Sequence, residues 1–303
     1  MAISQIGAVI RRRRIELGLS QEDLADGICS VPTLSRIENG ERMPTQNHLE
    51  VLLQRIGYSD IMAQTYLSEK DFISHDLKYK IRQSYIEGDH GAGLAYLDQF
   101  KTLVKNPSAL DEQFILLQDV IFHFKDNSPE DSLAKLEKAL CLTHPKYADG
   151  QLPSLLSYEE IIILNNIALA LEHCNRRWES VNILYHIARY YDSHITNLEE
   201  ALRTMPMILY NLSKFLGLEG RYEECVKICD QGIRLAQTTG RCPYLCHTMY
   251  NKAWALVKMG QEADLPIAKE TLTHAYHLAL AMGNEPFANH ILQFTKSHFP
   301  TEH

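Results

Sequence analysis

The sequence lacks long apolar runs and has little glycine or proline. No stretch approaches the roughly 18 consecutive apolar residues of a membrane-spanning helix. Residues 1–20 lack the apolar region of a secretion signal and carry four consecutive arginines instead. Only 15 glycines and 11 prolines occur among 303 residues, which favours helices over turn-rich β folds. These absences predict a cytoplasmic, all-α protein with no membrane contact.

Motifs for catalysis and cofactor binding are also missing. The chain has no Walker loop, no G-x-S-x-G and no dinucleotide fingerprint. Its 14 histidines form no H-E-x-x-H or similar cluster. We therefore expect neither enzymatic activity nor a cofactor.

The cysteines do not suggest a disulfide scaffold, because there are seven of them and they are scattered through helical segments. Cys225, Cys229, Cys242 and Cys246 form two C-x₃-C pairs, and four thiolates can hold zinc. Cys225 and Cys229, however, lie four residues apart on a predicted helix, where small core residues belong. Core packing is the favoured interpretation, with zinc as the alternative, and we expect no metal.

Helix-start and helix-stop residues divide residues 1–67 into five predicted helices, the last near 58–67. Ser20, Ser30 and Thr45 have the side chains of N-caps, and Gly18 and Gly57 are typical of helix ends. Apolar residues at helical spacing predict the buried faces of the first four helices: Ile6, Ile10, Leu17, Leu24, Ala25, Ile28, Leu34, Ile37, Leu49, Leu52, Leu53 and Ile56.

The segments GLSQEDLA (residues 18–25) and LSRIENG (residues 34–40) resemble the λ-repressor-like, xenobiotic-response-element type of helix-turn-helix. This resemblance implies that residues 1–67 form a DNA-binding domain. Its third helix would enter the major groove of a double-stranded operator.

The resemblance also implies which residues contact DNA. Arg36 is the long donor that can make a bidentate contact to guanine, while Val31 and Thr33 can meet thymine methyl groups. Gln21 is carried over as a phosphate contact, and Ser35 and Asn39 are further backbone candidates. The complete predicted set is Gln21, Ser30, Val31, Pro32, Thr33, Ser35, Arg36, Asn39, Arg12 and Arg14.

The charge balance is unusual for a DNA-binding protein. The net charge is −8, and residues 1–66 hold seven arginines, no lysine and eight acidic residues. Positive charge is concentrated in Arg11–Arg14. A local patch must therefore contact DNA, and weak binding by one copy makes a homodimer the expected form.

After residue 76 the sequence repeats with a unit of roughly 40 residues. The pair Tyr210-Asn211 recurs as Tyr250-Asn251, and each asparagine precedes a glycine by nine residues. The same spacing predicts five helix pairs, with turns at Gly88, Asn127, Asn175, Gly220 and Gly260. A last helix is predicted near 286–297.

The repeats resemble tetratricopeptide repeats, most clearly in residues 210–225 and 250–260. Stacked repeats form a groove lined by first helices. Amide side chains in one column of that groove can hold an extended peptide backbone. The predicted column is Tyr79, Gln118, Asn166, Asn211 and Asn251. The predicted peptide-binding residues are Gln118, Asn166, Tyr210, Asn211, Lys214, Tyr250, Asn251 and Trp254.

Together the two domains resemble peptide-pheromone-responsive transcription regulators of the Rgg, PlcR and PrgX type. The resemblance implies a helix-turn-helix domain at 1–67, a linker at 68–76, and a ligand-sensing and dimerisation domain at 77–303. It also implies a short signalling peptide as ligand. The open alternatives are repeats that bind a partner protein, and a scaffold that does not bind DNA. The asparagines also have an alternative role, as bridges between neighbouring helices.

Overall fold

The computed structural model describes residues 3–58, 69–124, 126–194, 198–240 and 243–299. All longer regular elements in these ranges are α-helices, as predicted. None of them is long and apolar enough to cross a membrane. The helices are α1 (Ile3–Glu16), α2 (Gln21–Ala25), α3 (Val31–Glu38), α4 (Gln46–Arg55), α5 (Glu69–Glu87), α6 (His90–Leu103), α7 (Ala109–Phe122), α8 (Pro129–Cys141), α9 (Tyr158–His173), α10 (Arg177–His194), α11 (Leu198–Leu218), α12 (Tyr222–Thr239), α13 (Leu245–Met259), α14 (Leu265–Ala281) and α15 (Glu285–His298).

The helices α2, α3 and α4 begin where the capping residues predict. Ser20, Ser30 and Thr45 each accept a hydrogen bond from the backbone N–H three residues later. Ile28, predicted on the second helix, is buried but lies in the turn, because α2 ends at Ala25. The predicted fifth helix lies largely outside the described residues. The buried core of this bundle includes Ile10, Leu24, Ala25, Leu34, Ile37, Leu49, Leu52, Leu53 and Ile56.

The predicted helix pairs are confirmed from α5 to α14, and α15 is the predicted last helix. Gly88, Asn175, Gly220 and Gly260 have positive φ angles between the helices of their pairs. Asn127 lies in the turn between α7 and α8 without a positive φ. Local turn chemistry therefore defines the repeat, as expected from residues that tolerate the left-handed conformation.

The chain folds into two compact units whose division lies far from the predicted domain boundary. The helices α1 to α9 belong to one unit, and α12 to α15 with most of α10 and α11 belong to the second. Residues 69–76, predicted as a linker, form the first part of α5. The first unit thus contains both the predicted DNA-binding domain and the first helix pairs.

Within the first unit, α4 and the turn after α2 pack against the repeats. The backbone of Thr143 lies so close to Gly27 (φ 68°) that a Cβ on this glycine would overlap the Thr143 carbonyl. Arg55, at the end of α4, donates to the Asp26 carbonyl at 2.6 Å and to Glu160 of α9 at 2.9 Å. The Gln54 side chain accepts a hydrogen bond from the Tyr158 N–H at 2.9 Å.

Candidate DNA-binding face and ligand cavity

The first turns of α3 present the residues predicted to read DNA. Val31, Pro32 and Arg36 are exposed, whereas Leu34 and Ile37 point into the core. The Ser30 hydroxyl caps the helix through the Thr33 N–H at 3.3 Å and lies 2.9 Å from the Thr33 hydroxyl. Thr33 and Ser35 are half-buried. Within the described ranges the Arg36 side chain has no hydrogen-bond or ion-pair partner, so its donors face solvent.

The arginine run divides between solvent and core. Arg12 is exposed, as a phosphate contact requires, and so is Arg11. Arg14, predicted with Arg12, is instead only 8% exposed and forms a bidentate ion pair with Glu38, with N–O distances of 2.7 and 2.9 Å. Its position four residues after the fully buried Ile10 places it on the inner face of α1. The Arg14 prediction is therefore wrong, because its guanidinium is used inside the domain.

Glu38 lies behind the candidate DNA-binding face and joins α1, α2 and α3. Besides Arg14, its carboxylate accepts a hydrogen bond from the Gln21 amide at 2.7 Å. Burial alone raises the pKa of Glu38, but the hydrogen bonds from Arg14 and Gln21 and the charge of Arg14 outweigh it and lower this pKa. The Gln21 side chain, predicted to contact phosphate, is thus held by an ionised carboxylate.

Two further cations lie near the end of α3. The Arg11 guanidinium is 3.5 Å from the side-chain oxygen of Asn39, an exposed predicted DNA contact. The exposed Arg42 follows in the next turn, where its backbone N–H donates to the Arg36 carbonyl at 3.2 Å. Neither cation was predicted as an individual contact, although helical spacing from Ile10 distinguishes Arg11 from Arg14.

The second unit contains a cavity of about 250 Å³ between α11, α12, α13 and α15. Five of the eight predicted peptide-binding residues line it: Tyr210, Lys214, Tyr250, Asn251 and Trp254. The rest of the lining was not predicted and comprises Ser213, Gly217, Leu218, Cys225, His247 and Phe287. Ser213 lies one helical turn from Tyr210, so spacing could have indicated it. Nothing local indicates Phe287, because it belongs to another helix.

The asparagines of the predicted column do not share one environment. Asn251 lines the cavity, and its amide donates to the Ser213 hydroxyl at 3.0 Å and to the Tyr210 carbonyl at 3.4 Å. This is the helix-bridging role that the sequence left open as the alternative. Asn211 is only 6% exposed and does not line the cavity.

The other two amides of the column belong to the first unit. Asn166 is half-buried and donates to the Ile162 carbonyl of its own helix at 2.8 Å. Gln118 is 3% exposed. Equal spacing to the turn therefore does not give equal access to a ligand.

The cysteine environment favours core packing. Cys225, Cys229 and Cys246 are buried free thiols, and burial raises the pKa of the Cys229 and Cys246 thiols. Cys242 lies outside the described residues. In the part of the chain that the structure describes, no three His, Cys, Asp or Glu residues are grouped to hold a metal ion.

Comparisons with known proteins agree with both parts of this structure. Residues 10–60 match the helix-turn-helix family model. No curated protein sequence matches the chain significantly. The apo form of PlcR from Bacillus thuringiensis superposes with a TM-score of 0.58 at 18% identity, covering 96% of this chain and 98% of that one.

Two complexes are also similar. PlcR from Bacillus thuringiensis with the peptide PapR7 and DNA has a TM-score of 0.56 at 17% identity, covering 98% of this chain and 100% of that one. ComR from S. thermophilus, in complex with DNA and its signalling peptide ComS, has a TM-score of 0.51 at 15% identity, covering 97% and 99%. These identities show a shared fold. The chain thus contains an N-terminal helix-turn-helix domain and has the fold of the PlcR and ComR structures.

Proposed function

We propose that the protein is a DNA-binding transcription regulator whose repeats bind a short signalling peptide. The observation that carries this proposal is the exposed outer face of α3, which lies within the residues that match the helix-turn-helix family model. Val31 and Arg36 are both exposed on this face, and the Arg36 side chain makes no hydrogen bond among the described residues. A helix presented in this way fits the major groove and can read base edges with its N-terminal side chains.

The DNA contact needs a second source of affinity, because the chain is acidic. Arg11, Arg12, Arg36 and Arg42 are the exposed cations of the described part of this domain. Each phosphate contact contributes a salt-dependent amount to the binding free energy. Two copies bound to two half-sites would therefore double the small number of phosphate contacts that one copy can make. A homodimer on a double-stranded operator follows as part of the proposal, with the cytoplasm as the expected location.

The sensing role is supported by the cavity in the second unit. It is concave and mostly apolar with a few polar groups, as small-ligand sites are. The PlcR complex of similar fold contains the peptide PapR7, and the ComR complex contains its signalling peptide ComS. We expect no enzymatic activity from either unit.

DNA selection tests the proposal. Purified full-length protein should retain duplexes with a common motif from a random library at about 150 mM salt, where non-specific binding is weak. Mass spectrometry of the same preparation, made from its native cells, should find a co-purifying peptide. The absence of any enriched motif, with or without the cell's peptide fraction, would exclude sequence-specific DNA binding and favour a scaffold.

A further inference from the structure

The ligand cavity has an unusual wall of rings. Five of its lining side chains are aromatic or imidazole rings: Tyr210, His247, Tyr250, Trp254 and Phe287. They come from α11, α13 and α15, so three helices must pack correctly before the wall exists. A cavity lined by five rings favours a flat, apolar ligand group, because stacked and edge-to-face contacts between aromatic rings contribute favourable interaction energy.

The rings hold one another in place. His247 stacks on Phe287 with centroids 4.1 Å apart and an interplanar angle of 20°. Tyr250 meets Phe287 edge-on at 5.6 Å, and Tyr210 meets His247 edge-on at 5.4 Å. The Tyr250 hydroxyl lies 2.9 Å from Nε2 of His290. Such a preformed wall loses little side-chain entropy when a ligand enters.

The charged residues of the cavity decide whether a cationic or an anionic ligand group suits the ring wall. Aromatic cages often bind cations, which need an electron-rich wall and tolerate no competing positive charge. Among the described residues, Lys214 is the lining cation and no Asp or Glu lines the cavity. Within the described residues no carboxylate lies within ion-pair distance of the exposed Lys214 ammonium group, which lies 5.6 Å from the Phe215 ring centroid. The site therefore suits an anion beside an apolar ring.

Size limits how much of a ligand can enter. Cavities for whole drug-sized ligands run from about 300 to 1,000 Å³, whereas this one is about 250 Å³. It holds one large side chain and not a folded peptide. Because Lys214 lines the same cavity as the rings, the anion that it binds should belong to the residue whose side chain enters the cavity.

We propose that this cavity binds the C-terminal residue of the peptide, with an aromatic side chain against the ring wall and the α-carboxylate on Lys214. The proposal rests on the proposed peptide-sensing function and specifies its ligand. Asn251 and Ser213, already bonded to each other at 3.0 Å, form the polar edge of the same cavity.

The test uses small probes on the full chain. Trp254 lines the cavity and Trp178 is the other tryptophan of the chain, so W178F protein reports on the cavity by fluorescence. The probes are acetyl-Gly-Gly-Phe with a free carboxylate, the same peptide as its C-terminal amide, and acetyl-Gly-Gly-Ala with a free carboxylate. Acetyl-Gly-Gly-Lys amide tests the cation-cage alternative.

The free-acid Phe peptide should bind with an affinity about fivefold above that of its amide, the advantage of one partly exposed ion pair. The Ala peptide should bind too weakly to saturate. K214M should erase the difference between acid and amide, K214R should keep it, and K269M, which removes an exposed lysine from α14, should leave it unchanged.

Equal affinity for acid and amide in the parent protein, or tighter binding of the Lys amide, would overturn the proposal. K214M that retains the full preference for the acid would also overturn it. No DNA is present in this measurement. If DNA selection fails while the free acid is still preferred, the proposed function is wrong and the cavity assignment stands. If DNA selection succeeds while the free acid is not preferred, the protein remains a DNA-binding regulator and only the proposed ligand class is rejected.

Discussion

The side chains of Arg55 and Glu160 form an ion pair with an Nη2–Oε1 distance of 2.9 Å, and both are completely buried. The pair joins α4 of the helix-turn-helix domain to α9 of the repeats, 105 residues later. Nε2 of His144 lies 3.0 Å from the same Glu160 oxygen. Because buried charges are costly without partners, this contact ties the helix-turn-helix domain to the first helix pairs.

Removing one member of this pair should destabilise the first unit strongly. R55M or E160Q should lower the free energy of unfolding by about 3–5 kcal/mol, because the remaining group is left buried without its partner. Urea denaturation measures the change. The double variant R55M/E160Q provides the control, since it leaves neither charge and should cost less than the sum of the two single changes. A purely additive double variant would show that the two charges are not coupled.

The same pair predicts a pH dependence. Burial alone raises the pKa of Glu160, but the Arg55 charge and the bonds from His144 and the Ser157 N–H outweigh it and hold this pKa far below its ordinary value. The stabilisation is therefore complete above the unfolded-state pKa of about 4.3 and is lost as the pH falls towards the folded-state pKa. The stability gap between the parent protein and E160Q should be constant from pH 7 to 5 and narrow below about pH 4. A gap that widens on acidification would contradict this assignment.

Arg12 and Arg14 lie two residues apart on α1, but Arg12 is exposed and Arg14 is buried. R14M should lower stability by about 3–5 kcal/mol, because it leaves the buried Glu38 without its bidentate partner. R12M should change stability by less than about 0.5 kcal/mol. It should instead reduce the slope of log affinity against log salt by about 0.9, the value for one lost phosphate contact. Thermal unfolding measures the stability effect, and salt titrations on one duplex measure the phosphate contact. A large stability loss in R12M, together with a changed salt dependence in R14M, would show that the exposed and buried faces of α1 are assigned wrongly.

Asn251 should act on stability before any ligand is added. Its amide joins α13 to Ser213 and to the Tyr210 carbonyl of α11, so N251A should cost about 1 kcal/mol in unliganded protein. N289A, at an exposed position on α15, is the control and should be neutral. If N251A is as stable as the parent but loses the ligand, then the peptide-backbone role predicted from sequence is the right one.

Sequence reasoning succeeded where the determining interaction is local. The caps at Ser20, Ser30 and Thr45 and the left-handed turns at Gly220 and Gly260 depend on residues within one turn of the helix ends. It failed where packing decides. Spacing to a turn defines the position of Asn211 and Asn251 on their own helices but not which neighbouring helix covers them. The Arg55–Glu160 pair and the Phe287 ring in the cavity depend on long-range packing, for which one sequence carries no signal.

The Arg14 error has a different cause, because the needed information was present. Ile10 and Arg14 are four residues apart, so they share a helix face, and Ile10 was already assigned to the core. An arginine on that face requires a buried acid. Glu38, at the end of α3, supplies it.

The most direct test of the account compares Arg36 with a distant arginine. R36A and R234A remove the same charge, but Arg234 is an exposed residue of α12 in the second unit. Fluorescence anisotropy should be measured on the selected duplex and on a scrambled duplex at one salt concentration. We predict that R36A loses about 1–3 kcal/mol of binding free energy on the selected duplex and little on the scrambled one, because a base contact is lost. R234A should bind both like the parent. Equal loss on both duplexes, or parental binding by folded R36A, would contradict the claim that α3 reads DNA through Arg36.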